Sequence, residues 1–204
     1  MVYLTFNVLF AIFAITIISM KRNNISILLA IFLVLLAAGT RIINAQLHAP
    51  NFVPIAAISL FSGAIIKDKR LAFLVPLLGQ FLGDVYFQLF THIPGFYDLS
   101  GQLFNYGALI GATALGTGLN QPKAVTTLAY LFGASSLFFL ISNFGYFVGG
   151  WNGYSVAGLI KTYVDGVPFF KYTLSGDMVG GVMLFGGYFM VQQALMKKVQ
   201  KVNA

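Results

Sequence analysis

The chain is predicted to be all-α, a polytopic bundle of membrane-crossing helices, and three observations carry that prediction. Apolar residues make up 58% of the 204 and charged residues only 8%, against roughly 25% charged in a soluble domain. The mean hydropathy is +0.85. The apolar residues fall in runs near the ~20 residues that cross a bilayer as a helix, and seven such runs consume roughly 140 residues. No stretch remains for a soluble catalytic domain. The absence of cysteine excludes disulfides, iron–sulfur clusters, thiolate zinc sites and a cysteine nucleophile.

The first run, Val2–Met20, reads as a permanent helix. No basic region precedes it, no small-residue cleavage motif follows, and Lys21-Arg22 comes after it, which is the wrong order for a signal peptide. The next five are Ile25–Ala45, Phe52–Ile66, Leu71–Phe90, Leu103–Leu119 and Val125–Gly145, and the last is Tyr172–Met196. The third and fifth runs are short, so tilt or local unwinding is expected there. Between the sixth and seventh, Ser155–Val164 reads as a short interfacial helix with Ser155 at its N-cap, ended by Asp165-Gly166 and Pro168. Phe169-Phe170 then offers two apolar anchors at the membrane face.

Loop charges set the expected orientation, because Lys and Arg concentrate on the cytoplasmic side. Lys21, Arg22, Lys67, Lys69, Arg70, Lys123, Lys197, Lys198 and Lys201 share one side, while Arg41, Lys161 and Lys171 fall on the other. The N-terminus is therefore expected outside and the C-terminus in the cytoplasm. Four of the five acids, Asp84, Asp98, Asp165 and Asp177, lie on the outer half. The net charge of +7 thus reports orientation, with the lipid bilayer as partner and no nucleic acid.

Ionisable groups inside apolar runs cost on the order of 2.5–3.5 kcal/mol each by insertion scales, so each is a candidate for function. Arg41 lies about 6 Å from the outer end of its run, Asp84 about 9 Å and Asp177 about 8 Å, at a 1.5 Å rise per residue. Asn51, Asn105 and Asn143 mark the outer ends of three further runs. All six are expected at one depth, in the outer third of the membrane. One reading is an ion pair between Arg41 and one aspartate; the other is a pocket open to the outside, and one Arg with two Asp leaves a carboxylate for it.

Eight of the ten tyrosines and the single tryptophan, Trp151, fall in the outer half. An interfacial aromatic belt would occupy both faces, so the asymmetry points to an aromatic-lined pocket with Tyr146–Lys171 as its lid. His48 and His92 stand at no metal-ligand spacing. No nucleophile elbow, P-loop or zinc-protease motif occurs, so neither enzymatic activity nor a cofactor is expected. Small residues four apart (Ser59 and Gly63; Gly107 and Gly111; Ala108, Ala112 and Gly116; Gly176 and Gly180) predict close helix packing.

Several motifs carry a resemblance. They are Arg41 followed by Pro50-Asn51-Phe52-Val53-Pro54 and Leu60-Phe61-Ser62-Gly63-Ala64, then Val75-Pro76 through Gly83-Asp84, then Asn143-Phe144-Gly145-Tyr146-Phe147 and Val167-Pro168-Phe169-Phe170. Together they resemble a family of uncharacterised bacterial integral membrane proteins, itself similar to the S-components of energy-coupling-factor vitamin transporters. The resemblance implies a six-helix S-component-like core over residues 25–196, preceded by an extra N-terminal helix with its loop (1–24) and followed by a basic cytoplasmic tail (197–204). It further implies a bacterial cytoplasmic membrane and ATPase and coupling subunits as partners. S-components carry Ala-x-x-x-Ala on their first core helix, whereas Ala30, Ala37 and Ala38 stand at other spacings here.

The leading functional expectation is a substrate-binding membrane subunit for uptake of a small water-soluble, vitamin-like molecule. Arg41, Asn51, Asp84, Asn105, Asn143, Trp151 and Asp177 are its candidate binding residues. The alternative is a non-transporting structural or assembly subunit in which the buried charges form only an interhelical ion pair.

Overall fold

The computed structural model describes residues 22–47, 51–91, 99–120 and 122–202, and every regular element within them is a helix. In chain order these are α1 (Arg22–Gln46), α2 (Ile55–Ile65), α3 (Lys69–Phe90), α4 (Leu99–Thr117), α5 (Ala124–Val148) and α6 (Val156–Val202). Six described helices stand against seven predicted, and the first predicted run, Val2–Met20, lies outside the described residues. Four stretches, Ser26–Gln46, Lys69–Phe90, Ala124–Val148 and Val156–Ala194, are long and apolar enough to cross a membrane. Their outward faces are apolar: Leu35, Leu74, Phe81, Phe132, Val164 and Val182 all point away from the core.

The short helix α2 is the hub. Eleven residues give about 16 Å of helix at 1.5 Å per residue, half of a ~30 Å hydrocarbon core. Every residue from Ile55 to Gly63 is buried, as expected of a helix apolar all round, and α2 touches every other described helix. Its companions approach closely because small residues face it. A side chain at Gly63 would collide with the Thr113 backbone of α4, and one at Gly116 with the Leu60 carbonyl of α2. The four-residue spacing read from the sequence thus marks the α2–α4 crossing.

The third predicted run begins as a helix three residues late, since Phe52-Val53-Pro54 is irregular and enters from Asn51 in the left-handed region, φ 56°. An interrupted helix at membrane depth is tolerated where protein surrounds it and completes its hydrogen bonds. Both conditions are met by α6. Gly176 and Gly180 leave room for this segment, because a side chain at the first would strike the Phe52 and Val53 backbone and at the second the Pro54 ring. Between these glycines stands Asp177, fully buried. Its Oδ1 accepts from the Ala57 N–H at 2.9 Å, and its Oδ2 accepts from Ser135 Oγ of α5 at 2.7 Å.

Pro54 at the N-cap makes no side-chain cap bond, so a carboxylate from 120 residues further along the chain satisfies an orphan donor of the first turn and sits where the helix dipole is positive. At the other end Lys69 Nζ donates to the Gly63 carbonyl at 2.9 Å. A buried half-length helix is thereby matched in charge at both termini.

Helices α5 and α6 form an antiparallel hairpin around residues 149–155, where Gly150 and Gly153 take positive φ. Ser155 accepts from the Gly158 N–H at 3.0 Å, as its predicted capping role requires. The predicted interfacial helix does not stop at Pro168, however. It continues as α6 for 47 residues, which also absorbs residues 197–202 of the predicted tail. Packing holds the turn around the proline: Phe170 lies 4.7 Å from Phe139 of α5, centroid to centroid, and Gly166 fits under the Asn143 side chain. The proposed lid Tyr146–Lys171 therefore reduces to residues 149–155, the rest being helical.

Two substitutions test the cap. Asp177→Leu removes the acceptor of two buried donors and should lower stability by about 3 kcal/mol, at ~1–3 kcal/mol per orphaned group. Asp177→Asn keeps an acceptor for Ala57 and should lose less than half as much. Thermal unfolding in mild detergent reads both, and equal losses would count against the capping role.

Candidate functional site

Arg41 reaches from the last turns of α1 to α3. Its Nη2 donates to Asp84 Oδ1 at 2.8 Å and its Nη1 to the Gln80 carbonyl at 2.7 Å. The slot is a glycine: a side chain at Gly83 would occupy the position of the guanidinium. Phe87 completes the cradle, its ring centroid 5.6 Å from the guanidinium carbon. Asp84 is held from three directions, since Gln80 Nε2 also donates to Oδ1 at 3.3 Å and Tyr106 Oη of α4 donates to Oδ2 at 3.0 Å. Breaking such a pair from one side strands a buried charge, which costs about 3–5 kcal/mol. α1, α3 and α4 are thus tied together at one end of the bundle.

Beside this ion pair lies a cavity of about 370 Å³, inside the ~300–1,000 Å³ range of small-molecule sites. Arg41, Gln80, Asn51, Asn105 and Asn143 supply its strongly polar wall, with Ser142 and Thr173 adding hydroxyls. Phe138, Phe139, Tyr146, Phe169 and Phe170 supply the aromatic wall. With Ile55 of α2, the lining comes from all six described helices and from the irregular segment before α2, so only the folded bundle assembles the wall. Asn143 is oriented by donating its Nδ2 to the Phe139 carbonyl at 2.8 Å.

Four of the seven sequence-predicted residues, Arg41, Asn51, Asn105 and Asn143, line this cavity. Asp84 is one bond behind it, through Arg41. Trp151 stands off the wall and stacks on Tyr146, which is on it, at 5.1 Å between ring centroids. Asp177 lies elsewhere. Its helix begins at Val156, not Tyr172, so it is a mid-helix residue, and its partner Ser135 lies eight residues before Asn143 on α5, about 12 Å further in. The expected common depth fails for Asp177, and neither Asp84 nor Asp177 is left over for the cavity.

Phe169 and Phe170, expected as membrane-face anchors, both reach the cavity wall. Gln80 and Tyr106 were not singled out as site residues. A polar Gln80 four residues before Asp84 on a helical face was the available signal for the first, whereas nothing in the sequence pairs Tyr106 with Asp84. His48 and His92 lie outside the described residues.

All described elements are helices, four of them long and apolar enough to cross a bilayer, with apolar outward faces and Arg41 paired to Asp84 inside, which is the make-up of a helical membrane protein. The chain belongs to a family of unknown function (DUF6580), which matches residues 21–200. Neither a curated protein nor a solved structure matches it.

A double-mutant cycle measures the ion pair. Arg41→Met or Asp84→Leu alone should each cost roughly 3–5 kcal/mol, and the double variant should cost less than their sum. Additive losses in detergent unfolding would show that the two side chains do not act on each other.

Proposed function

We propose that the protein is an integral membrane substrate-binding subunit, S-component-like, that takes up a small water-soluble, vitamin-like molecule through the cavity walled by the six described helices. The observation that carries this reading is the cavity wall, where Arg41, Asn51, Asn105 and Asn143, from four different segments, face one space beside a set of aromatic rings. Lys67, Lys69, Arg70 and Lys123 lie at the opposite end of the bundle from that wall. By the Lys/Arg bias of membrane loops that end is cytoplasmic, which opens the cavity to the outer face of a bacterial cytoplasmic membrane. The helices α1–α6 supply the number that an S-component core needs, and the motif resemblance points the same way. Energy then comes from partner subunits, such as an ATPase with its coupling subunit, or from a coupled ion, because the chain carries no nucleotide-binding motif.

The ion pair favours a second reading. Arg41 is held by Asp84 and the Gln80 carbonyl, as in a structural or assembly subunit whose charges serve only to join helices.

One experiment separates the two. Mass spectrometry of protein purified in mild detergent should find a copurifying small molecule, and Asn105→Leu and Asn143→Leu should each lose it while staying folded. No copurifying molecule, and no thermal shift across a library of water-soluble vitamins, would leave the structural reading in place.

A further inference from the structure

Building on the ligand-binding reading, the charge bookkeeping of the bundle narrows the ligand class. Among the described residues, two features near the cavity could hold an anion: the Arg41 guanidinium and the N-terminus of α2. Both already have a carboxylate from the protein. Asp84 lies 2.8 Å from Arg41, and Asp177 accepts from the Ala57 N–H at 2.9 Å. Lys161 is engaged too, by Asp165 one turn along α6. Among the described residues the wall, which exposed Lys171 does not line, therefore has no net charge. An anionic ligand would bring an uncompensated charge into a space walled by apolar rings, at a steep desolvation cost, and would face Asp84 as soon as it approached Arg41.

The wall is rich instead in neutral amides. Asn51 and Asn105 each carry a carbonyl oxygen and an amino group side by side, the geometry that matches an adjacent acceptor and donor on a flat ring, while Asn143, its Nδ2 held by the Phe139 carbonyl, keeps its Oδ1 and a second N–H. Among the described residues, no protein group hydrogen-bonds the carboxamides of Asn51 and Asn105. Phe138, Phe139 and Phe170 offer flat apolar faces nearby. The volume, about 370 Å³, equals that of roughly a dozen waters at ~30 Å³ each, enough for one or two fused rings.

We infer that the cavity takes an uncharged planar heterocycle bearing an amide or lactam edge, read by the Asn carboxamides and covered by the phenylalanine faces, and that it discriminates against the corresponding carboxylates.

Matched probes test this on the intact protein in mild detergent. Nicotinamide against nicotinate, and pterin against pterin-6-carboxylate, differ in charge at nearly constant shape. Isothermal titration at neutral pH should give binding for the uncharged member of at least one pair, at least about tenfold tighter than for its acid. Asn105→Leu should weaken that binding by about tenfold or more, as expected for losing one or two hydrogen bonds. Tighter binding of the acids would overturn the neutral assignment and leave a ligand-binding cavity standing. Binding of none of the four, together with no copurifying molecule, would overturn both readings.

Discussion

The fold depends on how a half-length helix is kept inside a bundle of full-length ones. A helix of 11 residues surrounded by apolar side chains leaves polar backbone groups exposed at both ends, where no water can satisfy them. Asp177 answers at the N-terminus and Lys69 at the C-terminus. The carboxylate is costly to bury alone, and so are the amide donors; placed against each other and against Ser135, each offsets the other. Gly176 and Gly180 on either side of Asp177 let the irregular Phe52-Val53-Pro54 segment lie against α6, so the same turn of α6 both accommodates the break and caps the helix that follows it.

The cavity lies against that break. Because α2 starts at Ile55 and not at Asn51, the irregular segment and the start of α2 border the cavity through Asn51, Val53 and Ile55. Polar side chains are tolerated there because the ion pair behind them is closed: Arg41, Asp84, Gln80 and Tyr106 satisfy one another across three helices. A pair held this firmly shapes the wall and holds the helix ends in place, while its neutrality sets what the wall will accept. The structural role of the pair and a binding role of the cavity are therefore compatible, and they separate only when the pair and the carboxamides are perturbed independently.

Much of this was legible in the sequence. The apolar runs located five of the six described helices to within a few residues, and the short third run already signalled tilt or unwinding, which the structure shows at Phe52-Val53-Pro54. The rare ionisable Arg41 within an apolar run named itself by its cost there, and the three Asn were named by marking the outer ends of runs at the same expected depth. Pairing was less legible. Arg41 could have met either aspartate, and the choice of Asp84 follows from the parallel packing of α1 on α3 with Gly83 opposite the guanidinium. The extent of α6 was misread for a related reason: Asp165, Gly166 and Pro168 end helices in water, but beside α5 the contacts of Phe170 and Gly166 hold the turn together.

The sequence by itself determined the class of the protein, since a chain with 8% charged residues and 58% apolar ones cannot cover a soluble globule, and it determined which few polar residues had to be explained. Only the tertiary structure decided what each of them does. Asp84 and Asp177 are both lone carboxylates in apolar runs, indistinguishable in pattern. One neutralises a guanidinium and the other caps a helix, because the partner in each case is brought in from a distant helix by packing, a relation that local sequence does not encode.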